Sequence, residues 1–574
     1  MLRSAIVCIA VLSSPAAAQD PITRVSDAPD GTQGNWNTLD VTISADGNSI
    51  AFTSFSSNLV PGDNNAWADA GGDVFVRDRV TGAVVRVSVS SAGDEAAGCS
   101  YSPAISADGR FVLFQSYADN LVPGDTNGLP DLFVHDRDPD ANGVFDEGNG
   151  VTTRVNVASD GTQSDADGYN GTISADGTLV CFCSAATNLV AGDGNGVNDV
   201  FVRDLSAGTT TRVSVDSNGA EGDDVSSGAS ISADGRYVVF TSFATNLAPN
   251  DVNGFGDVFL HDRGTGATTL VSLDSSGAQG NGFSQAGRLS ADDQILGFNS
   301  YASNLVAGDT NGGGDCFLRD LATGITTRVS VGTGGVECAS GSSFDGMSGD
   351  ARFVVFTTWA DNMVAGDDNE VLDVFVHDAL LDSTTLVSCS RTGEIGNDSL
   401  ALNGIGSFGG PISADGRFVT LLSYATNLVS YDTNDFEDAF LRDRSISIDA
   451  TWSNYGEGFS GLLGVPTLTS SADPVFGTTI TLDVGNSSGA ATVGLLLIGF
   501  TPASIQTSAG GTILVDVMLM LPFPLESTGA SIVESIPYDD WLYDQSAFLQ
   551  ALELDPGAAK KIVFTFGLEL RFGS

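Results

Sequence analysis

Residues 232–275 read SADGRYVVFTSFATNLAPNDVNGFGDVFLHDRGTGATTLVSLDS, and this unit recurs along the chain. Copies begin at Ser44, Ser106, Ser174, Ser232, Ser290, Ser348 and Ser413; the central ones lie 58 residues apart, and inserted loops lengthen the other intervals. Each unit predicts four short strands: one ending at the SADG turn, then Tyr237 to Ser242, Asp257 to Asp262 and Thr268 to Leu273. Their β-branched and aromatic residues are bounded by Gly, Asn and Asp turn signals, and no helical period competes. A small sheet of this kind buries its faces only against its neighbours, so the repeat predicts either a ring of sheets or a linear solenoid.

The chain ends decide between the two. The seventh copy stops near Arg444 without the TTRVSV strand that completes the others. That strand stands instead at the N-terminus: Ile22-Thr23-Arg24-Val25-Ser26-Asp27 followed by Gly31-Thr32-Gln33 matches Thr153 to Val157 followed by Gly161-Thr162-Gln163. The fold class expected is therefore all-β: a seven-bladed β-propeller of four-stranded blades closed by its N-terminal strand, with no exposed terminal edge. The SADG turn, the NLVxGDxNG loop and the DVFVRD strand make residues 20 to 445 resemble TolB-like, WD-type propeller repeats of exported bacterial proteins. The resemblance implies the fold and leaves function open, because such propellers serve as binding scaffolds and also accompany hydrolase domains.

Three segments are expected. Residues 1–18 read as a signal peptide, with Arg3, an apolar run from Ala5 to Leu12, and Ala16-Ala17-Ala18 before Gln19-Asp20. The mature protein is expected to be exported, whether periplasmic, extracellular or on the cell surface. Residues 19–445 form the propeller. Residues 446–574, where the Asp-rich loops vanish, carry strand-like runs at Thr479 to Val484, Ala491 to Phe500, Thr512 to Met520 and Lys561 to Phe566. These predict a small β-sandwich. With its closing stretch Gln550 to Gly557 it looks like an accessory module of exported bacterial proteins, which implies cell-surface association. No run reaches the length of a membrane span.

A formal charge of −49, from 72 acidic against 23 basic residues, disfavours nucleic acid and anionic membranes as partners. The Asp of each SADG-type turn (Asp46, Asp108, Asp176, Asp234, Asp292, Asp350, Asp415) suits a tight turn, accepting backbone N–H bonds. A second acidic set lies between the second and third strands. Asp125, Asn127 and Asp131 have the spacing of a calcium loop, repeated as Asp193/Asn195/Asp199, Asp251/Asn253/Asp257, Asp309/Asn311/Asp315, Asp367/Asn369/Asp373 and Asp432/Asn434/Asp438. In the first copy Asp73 stands four residues further from Asp63. These loops either bind calcium or are hairpins stapled by Asp and Asn to their own backbone. The insertion in the second copy is fuller: Asp138, Asp140, Asn142, the Val144 carbonyl and Asp146 match a D-x-D-x-N-G-x-x-D calcium loop, with Asn149 where a bidentate Glu usually closes the shell.

His135, His261 and His377 share one repeat position with Arg77, Arg203, Arg319 and Arg442, as a polar strand position would. No G-x-S-x-G elbow is present, and no histidine follows His377, so a Ser-His-Asp site in the C-terminal region is excluded. Six cysteines remain after residue 18, too few for a disulfide scaffold in so long a chain, and Cys181 and Cys183 lie on one strand face, ill placed to bond each other. The reading is an exported, calcium-stabilised propeller that binds a protein or glycan ligand without catalysis. The alternative is a hydrolase or lyase that attacks polysaccharide through channel carboxylates, although no acidic pair stands out.

Overall fold

The computed structural model describes residues 22–64, 71–391, 393–397, 406–444, 451–473, 479–508, 511–535, 546–556, 558 and 561–571. The expected signal peptide lies outside them. One compact unit is Pro21–Arg444, and Ser445–Ser574 falls in the other.

The first unit is a β-propeller. Among the described residues seven four-stranded antiparallel sheets follow one another, six of them in plain sequence order. Ser226–Ile231, Tyr237–Ser242, Asp257–Asp262 and Ala267–Leu270 form the fourth. The last strand of each is shorter than expected. After Leu270 the backbone still bonds the sheet through Val271 N to Val258 O at 2.9 Å, but Ser272 then turns its hydroxyl to Asp257 and ends the ladder. The seventh sheet combines Ser407–Ile412, Phe418–Ser423 and Asp438–Asp443 with Ile22–Arg24. The N-terminal strand pairs Ile22 with Arg442 and Arg24 with Phe440, and so supplies the missing fourth strand.

Each sheet lays its first strand over the first three strands of the sheet before it, and Thr38–Ile43 packs in this way on the seventh, closing the ring. Cores accordingly sit between sheets. Cys181, Val200 and Val202 of the third meet Val238, Phe240 and Phe259 of the fourth, and Phe52 and Phe75 of the first share a cluster with Phe418 and Leu441 of the seventh. Within six sheets a phenylalanine of the second strand stacks on one of the third, as in Phe240 and Phe259 at 5.9 Å. Such buried cross-strand pairs fix register. All seven first strands carry an irregularity in register, as between Ser227 and Ser230.

The SADG turns hold as their chemistry dictates. Asp234 accepts from Ser232 Oγ and Arg236 N, both at 2.8 Å, while Gly235 takes a φ of +73°. Two copies lack that glycine, and Asp293 and Ala351 adopt the same left-handed conformation at φ 60° and 56°.

In the second unit a six-stranded sheet includes Thr451–Tyr455, Thr492–Gly499, Leu519–Leu525, Ser546–Leu554 and Gly567–Arg571; a three-stranded one holds Leu468–Ser470, Thr479–Val484 and Ala530–Ser535. Leu468, Ile480 and Leu482 from the smaller sheet share one core with Leu496, Leu549 and Leu568 from the larger. The run expected over Thr512 to Met520 is two strands, because Asp516 N turns to Thr501 O and Met518 N to Ile498 O. No helix among the described residues is long and apolar enough to cross a membrane.

Candidate functional site

The acidic loops and the fourth strand meet at the same end of each sheet. In the third sheet, Asp199 begins the third strand fully buried and accepts from Ser214 Oγ at 2.5 Å and Asn195 Nδ2 at 3.1 Å. Arg212, from the fourth strand, lies 3.2 Å from Asp199 and 3.5 Å from Asp193, and also pairs with Glu221. The arrangement recurs. Arg86 joins Asp63, Asp73 and Glu95; Arg154 joins Asp125 and Asp131; Arg328 joins Asp309, Asp315 and Glu337; and Arg24 joins Asp432 and Asp438. Asp63 and Asp73 therefore meet despite their longer spacing. In the fourth sheet no arginine enters, and Gln279 Nε2 donates to Asp251 and Asp257, both at 2.8 Å.

The asparagines are staples. Asn127, Asn195, Asn253, Asn311, Asn369 and Asn434 each accept the N–H two residues on, at 2.7 to 3.3 Å, and turn their amide N–H groups to Asp131, Asp199, Asp257, Asp315, Asp373 and Asp438. The cation beside the acids in five sheets is a guanidinium. Burial, then the charge of the neighbouring Asp, still pushes the Asp63 and Asp193 carboxyls up to about 6. In the sixth sheet, burial and the charges of Asp373, Asp361 and Asp368 push Asp367 up to about 7.

Sequence reasoning missed these arginines, although their signal was present: Arg24, Arg86, Arg154, Arg212 and Arg328 share one repeat position, with Glu or Gln nine residues later.

The Asp138–Asp146 loop is organised differently. Asp138 accepts from Asn142 N at 3.0 Å and Gly143 N at 2.8 Å, and Val144 N bonds Asn142 Oδ1 at 2.7 Å. Asn142 Nδ2 reaches Asp140 at 3.3 Å and Glu147 at 2.7 Å. Asp146 is engaged by Arg137 at 3.0 and 2.5 Å. Asp138 stands against Asp140 and lifts its carboxyl above the usual range. Asp138 and Asp140 thus oppose each other, whereas Asp146 is paired with Arg137.

The histidines link sheets. His135, His261 and His377 contact the hydroxyls of Thr152, Thr268 and Thr384 at 2.9 to 3.0 Å, and each threonine donates at 2.5 Å to a carbonyl just past the last strand of the preceding sheet. Arg203 and Arg319 meet Thr210 and Thr326 in the same way. Cys99, Cys181, Cys183, Cys316, Cys338 and Cys389 are thiols outside any disulfide, all but Cys99 buried.

A further feature was not anticipated. The residue following the second strand is aromatic in six copies: Phe55, Tyr117, Phe243, Tyr301, Trp359 and Tyr424. Four are well exposed, from 42% at Trp359 to 63% at Tyr301. Phe283 bridges two sheets, 5.8 Å from Phe243 and 6.4 Å from Tyr301, so three rings are joined across the fourth and fifth sheets. Their regular recurrence was legible but was absorbed into the strand pattern.

Solved structures similar to this chain include a TolB-type protein from Agrobacterium tumefaciens, at 14% identity and TM-score 0.31 over 51% of this chain and 80% of that one. Another is hydrazine synthase from Kuenenia stuttgartiensis, at 15% identity and TM-score 0.35 over 67% and 92%. A third is the extracellular domain of a hybrid two-component system from B. thetaiotaomicron, at 10% identity and TM-score 0.35 over 79% and 44%. No family profile and no curated protein matches the chain. The class, a β-propeller, follows from the chain's own ring of four-stranded sheets.

Proposed function

We propose that this chain is an exported, calcium-stabilised propeller that binds a protein or glycan ligand on its aromatic end and performs no chemistry. The observation that carries the reading is the row of exposed rings at Tyr117, Phe243, Tyr301 and Trp359, brought to one end by their common repeat position. Exposed aromatic surface of this regularity marks an interaction site, because planar rings offer large contact area at low entropic cost. By contrast, the repeated Asp, Asn and His side chains are engaged in joining strands and sheets, which speaks for a scaffold over the polysaccharide hydrolase or lyase. Calcium is assigned to the Asp138–Asp146 loop, where the Asp138 and Asp140 carboxylates oppose each other and the neighbouring Arg110 is paired with Asp136. The Ser445–Ser574 unit would attach the protein to the cell surface.

Affinity electrophoresis of the purified protein through neutral polysaccharides tests the reading. Retardation that falls by about tenfold or more in Tyr301→Ala and Trp359→Ala supports glycan binding at the aromatic end. Release of sugar fragments from the gel substrate would instead favour the enzyme. Calcium-dependent stabilisation lost in Asp138→Ala/Asp140→Ala tests the loop.

A further inference from the structure

The seven acid pairs are built alike, yet one lacks its counter-group. The residue opposite the third-strand phenylalanine is Arg24, Arg86, Arg154, Arg212 or Arg328 in five sheets, Leu270 in the fourth and Leu386 in the sixth. The second polar partner, Gln33, Glu95, Gln163, Glu221, Gln279 or Glu337 elsewhere, is Ile395 in the sixth. The fourth sheet keeps a glutamine to bond both acids; the sixth keeps neither group.

Its acids are nonetheless buried. Asp373 is 2% exposed and accepts from Ser388 Oγ at 2.5 Å and Asn369 Nδ2 at 2.9 Å. Asp367 is 7% exposed, and its Oδ1 has no hydrogen-bond partner among the described residues. The same atom in Asp63 and Asp432 also lacks a hydrogen bond, but lies 3.5 Å from Arg86 and 3.2 Å from Arg24. Two buried carboxylates with no cation paired to them among the described residues are costly, and further negative charge comes from Asp361 and Asp368.

We infer that the sixth sheet binds a calcium ion at Asp367 and Asp373, the metal standing where five sister sheets carry a guanidinium. Calcium takes hard oxygen ligands in flexible geometry; these two carboxylates and water supply them, and its double charge neutralises the pair as arginine and hydrogen bonds do elsewhere. This rests on the calcium-dependent reading above but on a site separate from the Asp138–Asp146 loop.

The test uses the full chain carrying Asp138→Ala/Asp140→Ala, stripped with chelator and titrated with calcium chloride by calorimetry and thermal melting. One binding event is expected, with Kd on the order of 10⁻⁴ M as in extracellular modules, together with a higher melting temperature. Leu386→Arg, which restores the sister arrangement, should abolish the event and raise the chelator melt toward the calcium-loaded value. Asp367→Asn, nearly isosteric, should abolish it as well and reports even where Leu386→Arg fails to fold. Calcium binding that survives both variants overturns the inference. So does a parent without any calcium response, in which case calcium binding lost only with Asp138 and Asp140 leaves the loop assignment standing alone.

Discussion

Ser214 and Asp199 show how much of this fold rests on single side chains. The hydroxyl donates to a carboxylate oxygen with no solvent access and accepts from Val200 N at 3.0 Å, so it closes a ladder that the bending backbone has left. Ser26, Ser88, Ser272, Ser330 and Ser388 do the same in their sheets, and Asn156 in the second. Ser214→Ala strands a buried carboxylate oxygen and should cost about 1–3 kcal/mol in urea unfolding. His135 contributes to the pH dependence. Burial pushes its imidazole down to about 4, against the charges of Asp146 and Asp136 and with that of Arg137. It stays neutral in the folded protein while the unfolded chain takes up its proton below about 6.5. The stability it contributes is therefore complete above 6.5 and lost as pH falls through about 4, a difference of about 3 kcal/mol. His135→Gln, melted in chelator across this range, should lose less stability on acidification than the parent; His261 and His377 shift in the same direction and keep their own share.

At the scale of elements, the strands were legible because alternation and turn residues agree: Tyr237 to Ser242 and Asp257 to Asp262 stand where periodicity places them. The fourth strand was not, because Val271 to Leu273 reads as continuous β while its end is set by a long-range bond from Ser272 to Asp257. The acidic loops were legible as a repeated pattern but ambiguous in role. Spacing alone cannot distinguish an oxygen cage from a staple, since the difference lies in which way Asn195 turns its amide and in whether Arg212 arrives from a strand 13 residues after Asp199. The Asp138 loop illustrates the same limit, because the partner of Asp146 is Arg137, a residue just outside the motif.

For the whole molecule, closure replaces the linear stacking of a solenoid by a ring in which every sheet has two neighbours. The joint is short: three residues, Ile22–Arg24, carry the ladder, continued by Val25 N to Ala439 O at 2.8 Å and anchored by Ser26 on Asp438 at 2.5 Å. Six valines elsewhere make the same bond within unbroken sheets, Val213 N to Val200 O at 2.8 Å among them. Val25 and Val213 are equally buried, at 2% exposure, so local solvation does not distinguish them. Amide hydrogen exchange of the full chain compares them directly. A closed ring predicts protection of the Val25 amide within about tenfold of that at Val213. Exchange of Val25 at the rate of an exposed turn amide such as Asp30, with Val213 still protected, would contradict the closure.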